Sequence, residues 1–351
     1  MAATGLFRLV IPVLVLLLAG CNPFSDARPM MDEYVERVAR VLEVEPELSV
    51  IVPANQLPRR RDRVLAMPDL DMGILDFFSL YGCELQYVVG EKNSVMGRVM
   101  QPLNRLRYEI RFIQAARECL PSVKDEGLAK ELGKAVESKL VSLPVAVWNA
   151  TWGVREVEEL FTLAEGYYPV APKGNPVSDL AIDIARLNGT VARLLSGDLS
   201  VSLDFVGEVH QRWLAEHRAG QLINSALLLA ARLNDATALL KQRIDGRPLC
   251  LNGKPNNQSD IVESMFFSVY IAKVQPYMSE VARARAELSV PFERLAKMQV
   301  DVMPDSFRAW YQRYLSQDSQ ASLWRELDQA MMNHTRAWQV LLEQCGLRPG
   351  A

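Results

Sequence analysis

Near the end of the chain Trp324, Met331, Trp338 and Cys345 recur every seven residues, with Leu327, His334 and Leu341 interleaved at the other core position. Seven residues make two helical turns, so these side chains share one face and demand a long amphipathic helix, which Gly346 then stops. The same stride runs through Leu222, Ala226, Leu229, Leu233, Ala236 and Leu240, and again through Val206, Val209, Trp213 and Leu214. Further helices are predicted at Met31–Leu42, Ser178–Leu195, Ile261–Val274 and Glu280–Val300. Nothing requires a strand, so the predicted fold class is all-α, a multi-helix bundle with proline-rich connecting segments. Pro46 through Pro68 should lie extended over the bundle, and residues 166–176 and 247–259 read as loops.

The first residues set the address. Arg8 precedes an apolar run from Leu9 to Leu18; a bilayer needs ~20 residues, so the run is too short to span and reads as a signal h-region. It ends in Leu18-Ala19-Gly20-Cys21, which resembles the bacterial lipobox, where a lipid is joined to the cysteine thiol and the chain is cut just ahead of it. The expected organisation is a lipoprotein signal peptide at 1–20, an acylated tether at 21–29 and a single helical periplasmic domain at 30–351. Each buried CH₂ contributes ~0.8 kcal/mol, so two or three palmitate-type chains on Cys21 hold a domain firmly without any helix spanning the membrane. Asn22 stands where an aspartate commonly retains lipoproteins in the inner membrane, which points by analogy to the outer membrane.

Such a compartment is oxidising, and the cysteine supply suits it. Of five cysteines, Cys21 is committed to lipid, leaving Cys83, Cys119, Cys250 and Cys345. An even remainder suits two disulfides, although four cysteines permit three connectivities. Local pairing is expected, Cys83 with Cys119 and Cys250 with Cys345. From Leu85 the apolar positions Val88, Val89, Val95, Met96, Val99 and Met100 keep a helical stride until Gln101-Pro102 interrupts it. The midpoint of positions 83 and 119 is 101, so a fold-back there brings the two thiols together. In one continuous helix they would sit ~54 Å apart.

This region, LDFFSLYGCELQYVVGEKNSVMGRVMQPLNRLRYEIRFIQAARECL, resembles a family of uncharacterised lipoproteins of Gram-negative bacteria, domain of unknown function 3080. The resemblance rests on the lipobox, the Leu-Tyr-Gly-Cys start, the polar Glu91-Lys92-Asn93-Ser94 patch before Gly97, the Arg107-Tyr-Glu-Ile-Arg-Phe run and the second cysteine at 119. It implies no activity, because the family carries no assigned chemistry.

Composition and motifs narrow the function. With 39 Lys and Arg against 42 Asp and Glu, net charge −3, there is no basic block and nucleic acid is not an expected partner. Of three histidines, His210 and His217 are two turns apart rather than one, and His334 lies on an apolar stripe as a core residue, so no metal site is expected. No Gly-x-Ser-x-Gly elbow or phosphate-cradling loop occurs, and no cofactor is expected. The one enzyme reading that suits a helical outer-membrane lipoprotein is peptidoglycan cleavage by a glutamic acid of raised pKa, as in lytic transglycosylases with their Glu-Ser pair. Two such pairs occur, Glu137-Ser138 and Glu263-Ser264, a number that chance alone supplies in a chain of this length; Glu263, beside Met265-Phe-Phe, is the candidate.

Binding asks less of the chain. The run Gly90-Glu-Lys-Asn-Ser94 reads as a solvent-facing stretch or as a ligand surface formed by Lys92, Asn93, Ser94 and Arg98, and it is the first choice for a functional patch. Asn and Ser in mid-helix cost stability unless they bond something specific. Arg59, Arg60, Arg61 and Arg63 read as a solvated loop or as a fixed exposed patch for lipid phosphates or an acidic partner. Trp148, Trp152, Tyr167 and Tyr168 read as core, with sugar or peptide stacking as the alternative. The expected function is a non-catalytic envelope component, anchored through Cys21 and binding a protein or cell-wall partner.

Overall fold

The computed structural model describes residues 26–68, 82–93 and 99–347. Cys21, the signal peptide, Ser94 and Arg98 lie outside the described residues. Apart from one isolated bridge between Leu251 and Lys254, the regular structure among the described residues is helical.

α1 (Ala27–Leu42) buries Met30, Met31, Tyr34, Val35, Val38 and Leu42, one stripe of a 3.6-residue period. It ends where Glu43 turns left-handed and the amides of Glu43 and Val44 bond back to the carbonyls of Arg40 and Ala39. An extended strap follows, interrupted by the single turn α2 (Arg60–Arg63). Next come α3 (Glu84–Asn93), α4 (Pro102–Cys119) and α5 (Glu126–Thr151), the last capped by Asp125, whose carboxylate accepts from the Leu128 amide. α6 (Glu156–Leu160), α7 (Ser178–Leu195), α8 (Val206–Ala215) and α9 (Arg218–Asp245) fill the middle of the chain.

The segment predicted as two helices around 261–274 and 280–300 is instead one unbroken rod. α10 (Asn257–Met265), α11 (Gln275–Ala284) and α12 (Val290–Lys297) are joined by π-helical stretches at Phe266–Val274 and Arg285–Ser289. A proline ring clashes with the carbonyl four residues earlier. For Pro276 and Pro291 those carbonyls belong to Ala272 and Glu287, both inside the wider π turns, so the rod continues where a regular helix would break. α13 (Asp305–Tyr314) and α14 (Leu323–Glu343) complete the chain.

α9 lies between α14 and α1 and forms the spine of the core. Trp148, Trp152, Trp213, Trp324 and Trp338 are all fully buried, so the stacking alternative for Trp148 and Trp152 is corrected: both are packed inside. Gly220 lets α9 press against the turn that follows α6, since a Cβ there would stand 1.8 Å from the Thr162 carbonyl oxygen. The two disulfides are those expected, Cys83–Cys119 with Cα atoms 5.7 Å apart and Cys250–Cys345 at 5.1 Å. The first closes the α3–α4 hairpin and the second ties the loop after α9 to the end of α14.

A candidate binding cleft at the head of α4

The strap crosses the end of α5 because Arg63 fastens it there. Its guanidinium is fully buried, donating to the carbonyls of Pro58 and Trp152 and to the Glu158 carboxylate, while Trp148 Nε1 donates to the Arg63 carbonyl at 2.7 Å. This corrects the arginine patch. A buried guanidinium needs acceptors on every side, and Arg63 has them, so it is an internal bolt and not part of a surface. Arg59 and Arg61 are exposed. Arg60 is held by a bond from its Nε to the Gly153 carbonyl at 3.1 Å and lines a cleft.

That cleft, of about 400 Å³, is walled by Arg60, Gln101, Asn104, Arg155, Glu156 and His210 among others. Its floor is the N-terminus of α4. Gln101 provides no side-chain cap and Pro102 has no N–H; the first amide bonded back along the helix is that of Arg105, to the Gln101 carbonyl. The amides of Leu103 and Asn104 therefore lack intrahelical acceptors, and the positive end of the helix dipole stands at the cleft. Arg107 Nη1 donates to Asn104 Oδ1 at 3.1 Å.

His210, on α8, is 5% exposed. One ring nitrogen bonds the Ala150 carbonyl, and Nε2 has no partner. Burial holds this histidine below its ordinary range, with the neighbouring Glu156 carboxylate acting in the opposite sense. The ring is thus neutral at physiological pH, and a proton on the nitrogen facing Ala150 leaves a lone pair on Nε2. The cleft offers cations, open backbone donors, and the Glu156 carboxylate and the buried His210 ring as acceptors. That set suits a ligand carrying both an anionic group and a hydrogen-bond donor.

The other sequence-derived candidates lie elsewhere. Lys92 is half-buried near the end of α3 and Asn93 closes that helix. Glu263 is half-exposed on α10 and outside the cleft; the groove on that side is walled by Arg37, Arg40, Asp260 and Ser264. His217 Nδ1 bonds the Glu159 carbonyl at 3.0 Å. Among the described residues no group of three His, Cys, Asp or Glu could hold a metal ion. Sequence reasoning missed Gln101, Asn104, Arg155, Glu156 and His210 as one site. The available signal was Gln101-Pro102, a helix start without a capping side chain, which was legible only as a turn.

The hairpin of α3 and α4, whose second helix begins at the cleft, also carries the sequence resemblance. A family profile described as protein of unknown function (DUF3080) matches residues 31–349. The chain belongs to the DUF3080 family. No curated protein and no solved structure matches it. The DUF3080 match begins within α1 and runs past the end of α14, so it includes the cleft.

Proposed function

We propose that this chain is a lipid-anchored envelope protein, held by acyl chains on Cys21 at the periplasmic face of the outer membrane, and that it is a non-catalytic binder of a protein or cell-wall partner. The cleft supports this reading through one observation above the others: the buried Nε2 of His210 has no partner, beside Arg60 and the uncapped head of α4. Buried polar atoms are nearly always bonded, and this unpaired one belongs to a side chain that lines the cleft. The partner presents an acidic group to Arg60, Arg155 and the α4 amides, and a donor to His210. No helix among the described residues is long and apolar enough to cross a membrane, so the proposed attachment runs through lipid.

A photo-crosslinking residue at Gln211, on the cleft wall, tests this in intact envelopes. One discrete adduct that disappears in Arg60→Glu is expected; adducts that persist unchanged would remove the cleft from the account. The competing reading is peptidoglycan cleavage with Glu263 as the acid. Acids of that kind work from enclosed, apolar surroundings, and Glu263 is half-exposed. Muropeptides released by purified protein and lost in Glu263→Gln would establish the enzyme.

A further inference from the structure

The strap between α1 and α2 is unusual for its surroundings. From Leu48 to Pro58 it carries no charged residue, in a chain that is 23% charged. Extended backbone alternates its side chains. Ile51 turns inward against the core, whereas Leu48, Val50 and Val52 form one outward row, 37%, 89% and 74% exposed. The amides of Val50, Ile51 and Val52 make no hydrogen bond among the described residues.

Hydrogen bonds fix where this row sits. Gln258 Nε2 reaches the Val41 carbonyl and Arg243 reaches Gln258, so the C-terminal end of α1 lies at the C-terminal end of α9. Arg232 Nε binds Asp32 at 2.5 Å, placing the two helices parallel. The strap leaves α1 at Glu43 and runs back. Ser49 is pinned beside Asp32, its carbonyl accepting from Arg232 Nη1 at 2.8 Å and its amide donating to Asp235 at 3.1 Å. Val50 and Val52 lie beyond that point, alongside Leu227 and Ala231, at the end where α1 begins.

Six residue steps separate Cys21 from Ala27, a reach of about 20 Å at ~3.3–3.6 Å per residue. The row therefore stands at the end of the domain that the anchor holds close to the bilayer. We propose that Leu48, Val50 and Val52 form a membrane-contact edge that enters the interfacial zone of the anchoring leaflet, an inference that rests on the acylation of Cys21. The open amides set the depth: they lie among the lipid ester carbonyls, which can accept from them, because unpaired backbone is not tolerated in hydrocarbon, while the side chains reach further into the leaflet.

Hydrogen–deuterium exchange of the lipidated protein in phosphatidylethanolamine–phosphatidylglycerol nanodiscs tests this, with the mature chain lacking Cys21 as the free reference. Exchange at Val50–Val52 should slow by on the order of tenfold in the nanodisc. The exposed loop at Leu251–Lys254 should exchange equally in both. Val50→Asp with Val52→Asp, still acylated by mass, should restore fast exchange. Fast exchange in acylated wild type overturns the contact alone. A chain without acyl groups overturns the anchor and the contact together. Slowing of the free chain by added envelope proteins, with none from nanodiscs, would assign the edge to strand pairing and overturn the membrane contact.

Discussion

Tyr34 and His334 stand 300 residues apart in sequence and 2.6 Å apart in the core, phenol oxygen to imidazole Nε2. Around them the hydrogen bonds run in one direction. Trp338 Nε1 donates to the Tyr34 oxygen at 2.8 Å, Tyr34 donates to Nε2, Nδ1 meets the Thr237 hydroxyl at 3.2 Å, and Thr237 donates to the Leu233 carbonyl at 2.6 Å. The relay joins α1, α9 and α14, and it closes only around a neutral imidazole.

Burial lowers the His334 pKa to about 3, against ~6.5 for an unfolded histidine. The unfolded chain binds the proton more tightly, so this contribution to stability is complete above the unfolded value and is lost as pH falls toward the folded one. Between pH 7 and pH 5 the loss should be about 2 kcal/mol. Urea unfolding at both pH values should show it in wild type, and His334→Gln should be less stable at pH 7 with a flatter pH dependence. Parallel pH curves for the two proteins would contradict a neutral buried histidine.

Glu109 is fully buried between Lys139, 2.5 Å away, and Arg105, also at 2.5 Å. Burial lowers the Lys139 pKa, with Glu109 acting in the opposite sense. Removing one partner of a buried pair costs ~3–5 kcal/mol because the other charge is stranded. Glu109→Gln should fall in that range. Lys139→Met should cost less, since Arg105 still holds the carboxylate. Denaturant midpoints in the reverse order would show that Arg105 alone does not hold the carboxylate and that Lys139 is its main partner.

Two glycines in helices should respond in opposite ways to alanine. At Gly220 the new methyl meets the Thr162 carbonyl, which is backbone and cannot swing aside. Gly220→Ala should destabilise by at least ~2 kcal/mol. Gly189, exposed on α7, has nothing within 4 Å of a built Cβ, and Gly189→Ala should stabilise by ~0.5–1 kcal/mol through helix propensity. Thermal melts of both variants check the pair, and a neutral Gly220→Ala would mean that α9 can shift away from that turn.

The disulfides close loops of 36 and 95 residues. Loop entropy assigns them ~4 and ~5 kcal/mol, so replacing both cysteines of a bridge with serine should cost more at Cys250 and Cys345 than at Cys83 and Cys119. Guanidinium unfolding of the two double variants gives the order directly. The reverse order would place native contacts, rather than chain constraint, behind the difference.

Much of this fold was legible because apolar spacing records burial. The seven-residue recurrence through Trp324 and Trp338 marks α14, and the stretch from Ser178 to Leu195 coincides with α7. Equidistance from Gln101 identified the partner of Cys83. The rod from Asn257 to Lys297 was not legible, because a π turn keeps its side chains apolar while changing only the backbone register. Arg63 was misread for a different reason. Its acceptors on Trp152 and Glu158 are 89 and 95 residues away, and a run of arginines between prolines carries no trace of them. The cleft was hidden likewise, since its parts come from α2, α4, α6 and α8 and two of its donors are backbone amides, which every sequence has.

Intact-mass analysis of the protein extracted from native envelopes tests the proposed lipid anchor on Cys21 most directly. The expected result is a chain beginning at Cys21 that carries two or three acyl groups, with Cys83, Cys119, Cys250 and Cys345 resistant to alkylation until reduced. A chain whose Cys21 bears no lipid, or whose other four thiols alkylate without reduction, would contradict it.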